Sequence, residues 1–437
     1  MKPFPSQIKV ANEAYPILSK YGLVYLGMEE RTGKTLSSIL LAEKTTRTRV
    51  LVLTKKSALM GELDKDAETA KEGWYGTFNK YGEQTCTRVN GYPHWSLQSG
   101  TAFTVLNYHA IHTAVKGKSG KRTYKLNIKP KDYDLIILDE PHAYLAAYPK
   151  LGAIWKSTRR LTKEQPIILQ GATPYAQGYQ LLYNQLRLSD WSPFRAYANF
   201  YRFFDAYGIS QKIKTDYGLQ ETYKKCKPLV WAKCKHLFIT YTRKELGFEH
   251  EPEDIIHYVE LSEDTKAIYN DCMTKQLFIT DEFESMLDSS MKLRTTLHMI
   301  EGGVAKVDDE YFVLDNDEII QQILEDFGDS KDLVIFYHYK AQLAKLEKYF
   351  KNAVLAQATS KAEGVDYSMY EHMAVYSQDF STARHSQRRA RQANKLRMTP
   401  IKVHFYLVKG AISEQVYKTV AVNKVNFVDS LFIREKL

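Results

Sequence analysis

One pattern recurs along this chain and strongly limits its fold: a short apolar run, a polar turn, then helix-forming residues. Short apolar runs between polar turns are typical of buried parallel strands joined by helical crossovers. In the first part of the chain these runs are Leu23–Leu26, Val50–Leu53, Phe103–Leu106, Leu135–Leu138 and Ile167–Leu169. The pattern predicts an α/β fold built on a parallel sheet.

A second region with the same pattern follows an interruption. Residues 179–249 are rich in aromatic and helix-forming residues, which predicts an all-helical annex that ends in a linker at 247–254. Strand candidates then resume at Ile255–Leu261, Leu333–Tyr337, Met373–Tyr376 and Val403–Val408, with helical segments such as Ala341–Tyr349 between them. We therefore expect two parallel-sheet lobes, 1–178 and 250–437. Ser262 would cap the first helix of the second lobe.

Composition and charge limit which partners and which cellular compartment are expected for this chain. Lys and Arg outnumber Asp and Glu by 61 to 51, a net charge of +10 that favours a polyanionic partner. Two basic runs contribute, 116–122 and 224–227, and their role stays open because such runs are often solvated loops. No apolar stretch has the length of a membrane span and the first residues lack a secretion signal, so we expect a cytoplasmic protein.

The four cysteines predict reduced thiols rather than a metal site or a disulfide framework. None is paired in a C-x-x-C motif, and no histidines accompany them at metal-ligand spacing. They are Cys86, Cys226, Cys234 and Cys272.

A candidate phosphate site lies in 23–42, which reads as strand, short loop and helix. In this context a P-loop cradles phosphate oxygens with backbone N–H groups, and its lysine reaches the β- and γ-phosphates of ATP. The first glycine of that motif would fall on Met28, so a helix that merely begins with Gly-Lys-Thr is the alternative. The nucleotide-binding candidates are Arg31, Thr32, Gly33, Lys34 and Thr35, and the Thr35 hydroxyl is also a candidate Mg²⁺ ligand.

The second half of an ATPase site is a strand that ends in acid. The run that begins at Leu135 ends in Asp139 and Glu140. Asp139 is the candidate ligand in the Mg²⁺ shell, and Glu140 is the candidate general base for the attacking water. The alternative is an Asp-Glu pair that caps a helix. The pairing with Gly33-Lys34-Thr35 at the end of another strand favours the ATPase site.

With these motifs the chain resembles the superfamily 2 helicases, and within them the Swi/Snf-type double-stranded DNA translocases in the compact form met in phage genomes. The family loop commonly reads D-E-M-G-L-G-K-T, which also lacks the first glycine. The resemblance implies two RecA-like lobes, with a helical protrusion at about 262–300 in the second lobe and with Gln7 as the adenine-reading glutamine. It further implies nucleic-acid contact or coupling roles for Lys55, Lys56, Ser57, Asn107, His142 and Thr173.

The resemblance is weaker in the second lobe. Gly364 and Asp366 look like the G-x-G-x-N-L turn, and 386–394 is similar to Q-x-x-G-R-x-x-R-x-G-Q. With Gln387 as the motif glutamine, the arginine fingers fall on Arg391 and Asn394. With Arg-x-x-Arg as the deciding feature they are Arg388 and Arg391, which we prefer. The connection from 350 to 354 is shorter than in the family.

The resemblance implies a DNA-stimulated, Mg²⁺-dependent ATPase that moves along double-stranded DNA. Two alternatives share these motifs: a nucleotide-gated nucleic-acid clamp with weak or no hydrolysis, and an enzyme that remodels forks or structured RNA. A small-molecule P-loop kinase would leave the matches in the second lobe unexplained.

Overall fold

The computed structural model describes residues 2–61, 64–81, 84–116, 122–175, 178–215, 218–279, 284–307, 310–359 and 366–423. The chain divides into two compact units, with the boundary between Gly247 and Phe248. The expected linker 247–254 is shorter than predicted, because residues from Pro252 onward already lie in a strand of the second unit.

The first unit is built on an eight-stranded sheet, counted over the described residues, with the order β12-β1-β9-β8-β2-β5-β4-β3. The strands from β12 to β5 are parallel, and β4 and β3 extend the sheet in antiparallel pairing. The elements are α1 (Pro5–Tyr21), β1 (Leu23–Leu26), α2 (Lys34–Glu43), β2 (Arg49–Thr54), α3 (Gly73–Lys80), β3 (Gln84–Val89), β4 (Tyr92–Leu97), β5 (Ala102–Asn107), β6 (His112–Lys116), β7 (Arg122–Leu126), β8 (Leu135–Asp139), α4 (Ala153–Thr162), β9 (Ile167–Gln170), α5 (Leu181–Leu186), α6 (Phe200–Tyr207), β10 (Gln211–Thr215), β11 (Gly218–Thr222), α7 (Leu229–Cys234) and β12 (Phe238–Ile239).

The register of the central strands brings three strand ends together. Leu26 of β1 is aligned with Gln170 of β9, and Gln170 is aligned with Asp139 of β8. The apolar residues of these strands are fully buried, as expected for parallel strands covered by helices on both faces. Since carboxyl ends of parallel strands share one edge of the sheet, the loops after them meet there.

The predicted all-helical annex is only partly helical. Besides α5, α6 and α7 it contains the hairpin β10–β11 and the strand β12, which pairs in parallel with β1. Phe238 of β12 stacks on Tyr25 of β1 with ring centroids 4.7 Å apart. A two-residue strand is too short to show any period in the sequence, so its place in the sheet was not predictable from pattern.

The second unit is built on a five-stranded parallel sheet of the described residues, with the order β13-β21-β20-β18-β19. Its elements are β13 (Pro252–Val259), α8 (Glu263–Lys275), β14 (Leu277–Ile279), β15 (Glu284–Met286), α9 (Ser290–Glu301), β16 (Val304–Val307), β17 (Glu310–Val313), α10 (Glu318–Phe327), β18 (Leu333–Tyr337), α11 (Ala341–Tyr349), β19 (Val354–Gln357), β20 (His372–Val375), α12 (Thr382–Arg389), β21 (Ile401–Val408) and α13 (Ile412–Tyr417). The predicted α/β class with large parallel sheets is thus confirmed.

Helix α8 begins at the capped position that the sequence predicts. The Ser262 hydroxyl caps α8 by accepting a hydrogen bond from the Thr265 N–H at 3.3 Å. The region is not purely helical, because the small hairpin β14–β15 separates α8 from α9. The short connection after Phe350 still returns the chain to the sheet, where β19 pairs in parallel with β18.

Two further expectations concern cysteines and membranes. All four cysteines are free thiols, and burial raises the pKa of Cys226 and Cys234 to about 12, so both stay protonated. In the described part of the chain, no helix is long and apolar enough to cross a bilayer.

Candidate nucleotide-binding site

The loop between β1 and α2 is shaped as a cradle. Gly33 caps α2 in the left-handed conformation, with φ at +83°. A Cβ at Gly33 would lie 2.2 Å from Nε2 of Gln7, and the positive φ is strained for residues other than glycine. Arg31 also has positive φ, at +66°, and it stands where the family loop D-E-M-G-L-G-K-T has a glycine. The backbone at Arg31 therefore has a conformation that glycine favours, although the residue there is an arginine.

The lysine of the loop folds back over it. The Lys34 ammonium donates hydrogen bonds to the carbonyl oxygens of Met28, at 3.0 Å, and Glu29, at 2.7 Å. The Thr32 hydroxyl donates to the same Glu29 carbonyl at 2.7 Å. These are exchangeable contacts to neutral carbonyls. An anionic phosphate is a stronger acceptor for the ammonium than they are.

Gln7, to which the resemblance assigns the adenine-reading role, lies against the loop. It is buried at 7% exposure, and its amide oxygen accepts a hydrogen bond from the Phe4 N–H at 2.8 Å. Its amide nitrogen faces Gly33. The first helix is thereby positioned beside the nucleotide loop.

The carboxylate of Asp139 is held by three side chains. Oδ2 accepts from the Thr54 hydroxyl at 2.6 Å and from the Trp74 indole N–H at 2.9 Å, while Oδ1 accepts from Gln170 at 2.9 Å. Asp139 is buried at 7% exposure. A carboxylate has roughly four acceptor positions, so one remains for a metal-bound water. The sequence did not identify Thr54 and Trp74, because neither belongs to a motif that contains Asp139.

The residue after Asp139 has an unusual backbone. Glu140 lies in the left-handed region with φ at +47°, and its Oε2 is 3.2 Å from Nδ1 of His142. A Cβ at Gly171 would lie 3.1 Å from the same oxygen, so the turn after β9 closely borders this pair. The Thr173 hydroxyl of that turn is buried with no hydrogen-bond partner among the described residues.

Two buried tyrosines support this edge of the sheet. Tyr108 donates to the Asp139 carbonyl at 2.8 Å, and Tyr25 donates to Gln185 at 2.9 Å. Gln185 in turn donates to the Pro174 carbonyl at 2.8 Å. Burial raises the pKa of both phenols well above the usual range, so they act as neutral donors.

The last residues of the first unit run along the phosphate loop. Gly27 donates its N–H to the Ile239 carbonyl at 2.9 Å, and Glu29 donates to the Tyr241 carbonyl at 3.1 Å. The Arg243 N–H donates to the Glu29 carboxylate at 2.7 Å, and its guanidinium is 3.6 Å from the Glu30 carboxylate. These contacts balance two acidic side chains beside the place where phosphates would bind.

The residues expected to contact nucleic acid follow strands β2, β5, β8 and β9. Lys56 and Ser57 are exposed after β2, whereas Lys55 is buried at 8% exposure. Asn107 is used locally, since its side-chain oxygen accepts from the N–H groups of His109 and Ala110 at 3.0 and 3.1 Å. Of this set, His142 borders the Glu140 carboxylate, 3.2 Å from its Oε2.

In the second unit the candidate arginines differ sharply in environment. Arg388 is fully buried, with its guanidinium 5.9 Å from the centre of the Phe336 ring and 3.9 Å from the Asp379 carboxylate. Arg391 is half-buried, and its carbonyl accepts from the Tyr367 N–H at 3.3 Å, next to Asp366. Gln387 is buried at 5% exposure. Gly364 lies outside the described residues.

The donor set suits magnesium rather than a metal held by protein alone. Among the described residues no group of three or more His, Cys, Asp or Glu side chains could hold a metal ion. Mg²⁺ bound with a nucleotide needs only one or two protein oxygens beside phosphate and water. Thr35, in the first turn of α2, and Asp139, at the end of β8, fit that need.

Comparison with protein families gives a match to part of the first unit. Residues 1–176 match the family described as Type III restriction enzyme, res subunit. The matched residues include the loop around Lys34 and the acid-ended strand β8.

The chain is also similar to solved structures. The Sulfolobus solfataricus SWI2/SNF2 ATPase core in complex with double-stranded DNA is 13% identical to this chain, with a TM-score of 0.38, and the match covers 97% of this chain and 91% of that one. No curated protein sequence matches the chain. Neither match bears on a phage source.

Proposed function

We propose that this protein is an ATP-hydrolysing nucleic-acid motor of the Swi/Snf type that moves on double-stranded DNA. The observation that carries the proposal is the register Leu26–Gln170–Asp139. It brings the ends of the loop-bearing strand β1 and the acid-ended strand β8 to one sheet edge, two strands apart, with Gln170 hydrogen-bonded to Asp139. The match of residues 1–176 supports the ATPase class.

The proposed roles follow from the chemistry of each group. Lys34 exchanges its carbonyl partners for the β- and γ-phosphates, and Thr35 and Asp139 hold Mg²⁺, which neutralises phosphate charge when bound. Glu140 takes the proton of the attacking water. The nearby His142 makes the orientation of the Glu140 carboxylate sensitive to the turn at Thr173. Gln7 reads the adenine edge.

The arginine finger is assigned to Arg391. A finger must approach a phosphate, and Arg388 has no exposed surface. Arg391 is compatible with both motif registers. Its backbone carbonyl accepts a hydrogen bond from the Tyr367 N–H, and Asp366 directly precedes Tyr367. In this proposal Arg388 is a structural residue of the second unit, which corrects our preference for two fingers.

Phosphate release measured with four cofactors tests the proposal: none, duplex DNA, forked DNA and RNA. We expect stimulation by duplex DNA, and Lys34→Ala should lower hydrolysis by about 10²-fold or more while much of the DNA binding remains. Lys44→Ala, an exposed lysine just after the same helix, is the matched control. Full hydrolysis by Lys34→Ala would refute the site. Stimulation by forks or RNA alone would favour the remodelling enzyme, and no stimulation would favour the clamp.

A further inference from the structure

The hairpin β6–β7 presents two cations opposite each other. Lys116 pairs with Arg122 across the two strands, and the next pair on the same face is Ala114 with Tyr124. All four residues are exposed. Like charges directly opposite each other in an antiparallel pair are destabilising. The arrangement therefore has an electrostatic cost in the protein by itself.

No acidic residue on the two described strands offsets that cost. Its described strands, 112–116 and 122–126, contain no Asp or Glu, and Lys125 adds a third cation. Over the described ranges of the chain, no carboxylate forms an ion pair with Lys116, Arg122 or Lys125. Arg160 of α4 lies beside them and donates to the Tyr124 carbonyl at 3.0 Å.

A second hairpin in the same unit shows the usual solution. In β10–β11, Lys212 stands opposite Glu221, so the cross-strand charges compensate each other. Both hairpins carry exposed lysines, but only in β6–β7 do two cations face each other. The two hairpins therefore differ in which charges face each other across the strands, and not simply in carrying positive charge.

The base of β6–β7 is fixed to the segment after β5. Asn127 donates from its backbone to the Ile111 carbonyl at 3.0 Å and from its side chain to the Ala110 carbonyl at 2.9 Å. The Ala110 N–H donates to Asn107, one of the residues expected to contact nucleic acid. A rigid series of hydrogen bonds thus joins the hairpin to that segment.

We propose that the β6–β7 hairpin binds the phosphate backbone of duplex DNA, with Lys116 and Arg122 as the paired phosphate contacts. The inference rests on the proposed function and names the surface of the protein that would contact the DNA. A bound phosphate forms ion pairs with the two cations and also relieves the repulsion between them. Both effects favour binding. Such contacts fix position on the duplex without reading its sequence.

The test is the salt dependence of duplex binding, measured by fluorescence anisotropy without nucleotide. Each lost phosphate contact reduces the slope of log affinity against log salt by about 0.9, so Lys116→Ser/Arg122→Ser should be shallower than wild type by about 1.8. The matched control is Lys266→Ser/Lys275→Ser, which removes two exposed cations that are paired with Glu263 and Asp271. We expect its slope to equal that of the wild type.

The outcomes separate this inference from the proposed function. A wild type that binds duplex DNA, with an unchanged slope in Lys116→Ser/Arg122→Ser, overturns the hairpin contact alone. If the salt slope falls equally in both double variants, the change reflects net charge in general. That result also overturns the hairpin contact. A wild type that binds no duplex overturns the proposed motor and the hairpin contact together.

Discussion

The indole N–H of Trp74 donates a hydrogen bond to Oδ2 of Asp139 across 2.9 Å. Trp74 comes from α3, in the region between β2 and β3, and its side chain is almost fully buried. A hydrogen bond to a charged group contributes about 1.5–3 kcal/mol. Trp74 therefore both stabilises the first unit and fixes the orientation of the proposed metal ligand.

Trp74→Phe should raise the Mg²⁺ concentration needed for half-maximal hydrolysis several-fold. Phenylalanine retains most of the ring but not the donor, so Asp139 is held by Thr54 and Gln170 alone. Trp95→Phe is the matched control, because that buried indole donates to the neutral Asn79 at 2.9 Å and does not contact Asp139. Titration of Mg²⁺ against the rate of phosphate release checks this. Equal Mg²⁺ requirements in the two variants would contradict it.

Arg243→Gln should weaken ATP binding by about fivefold, on the order of 1 kcal/mol. The change leaves the Glu29 and Glu30 carboxylates without their compensating charge beside the phosphate loop, and they would repel the triphosphate. Nucleotide affinity can be followed with a fluorescent ATP analogue. Adding Glu30→Gln to Arg243→Gln should restore most of the affinity. If the second change has no effect, the charge explanation is wrong.

Glu301 should make the second unit less stable as pH rises. Burial raises the pKa of this carboxyl to about 7, although it accepts backbone hydrogen bonds from Ile412 and Ser413 at 2.8 and 3.0 Å. The folded state therefore holds a proton that the unfolded state releases near its ordinary pKa. The contribution is fully present below the unfolded value and is lost as pH rises through about 7, by up to about 3 kcal/mol.

Buried histidines change stability in the opposite direction, so the Glu301 effect must be measured as a difference. Burial lowers the pKa of His298 to about 3 and that of His338 to about 4, which makes stability rise between those values and the ordinary histidine pKa. Denaturant unfolding of wild type and Glu301→Gln from pH 4.5 to 7.5 separates the two effects. The wild type should lose stability relative to the variant; parallel curves would exclude the effect.

Arg388→Ala and Arg391→Ala should affect different properties. Arg388→Ala removes a fully buried side chain that packs on Phe336, although Arg384 stays paired with the Asp379 carboxylate at 3.2 Å. The cavity should cost about 2–5 kcal/mol of unfolding free energy. Arg391→Ala should leave stability nearly unchanged and lower hydrolysis by about 10³-fold. Thermal unfolding and phosphate release on both variants check this. The reverse result would restore Arg388 as a finger.

The strands were predictable where apolar runs are long enough to show a period. Leu23–Leu26 and Ala341–Tyr349 have the predicted bounds, because turns or caps delimit each of them. Residues 238–239 form a strand only because β1 offers them an unpaired edge. Such a pairing depends on tertiary contact and leaves no trace in the sequence.

Similar reasons explain which residues of the candidate site could be predicted from the sequence and which could not. Lys34, Asp139 and Glu140 were predictable because short motifs at strand ends fix their chemistry. Trp74 and Arg243 were not, since each reaches the site from a segment remote in sequence. The burial of Arg388 was also hidden, because a run of arginines and glutamine on a short helix reads as a solvated face.

The position of β12 determines the smallest fragment that could fold with an intact nucleotide loop. A protein cut after residue 178, at the predicted end of the first lobe, would lose the carbonyl acceptors of Ile239 and Tyr241 and the guanidinium of Arg243. Its β1 would become an open sheet edge with unpaired backbone groups, which favours aggregation. Expression of an isolated ATP-binding fragment should therefore extend to residue 247, and a fusion partner or purification tag would be better tolerated after that residue than within 238–243.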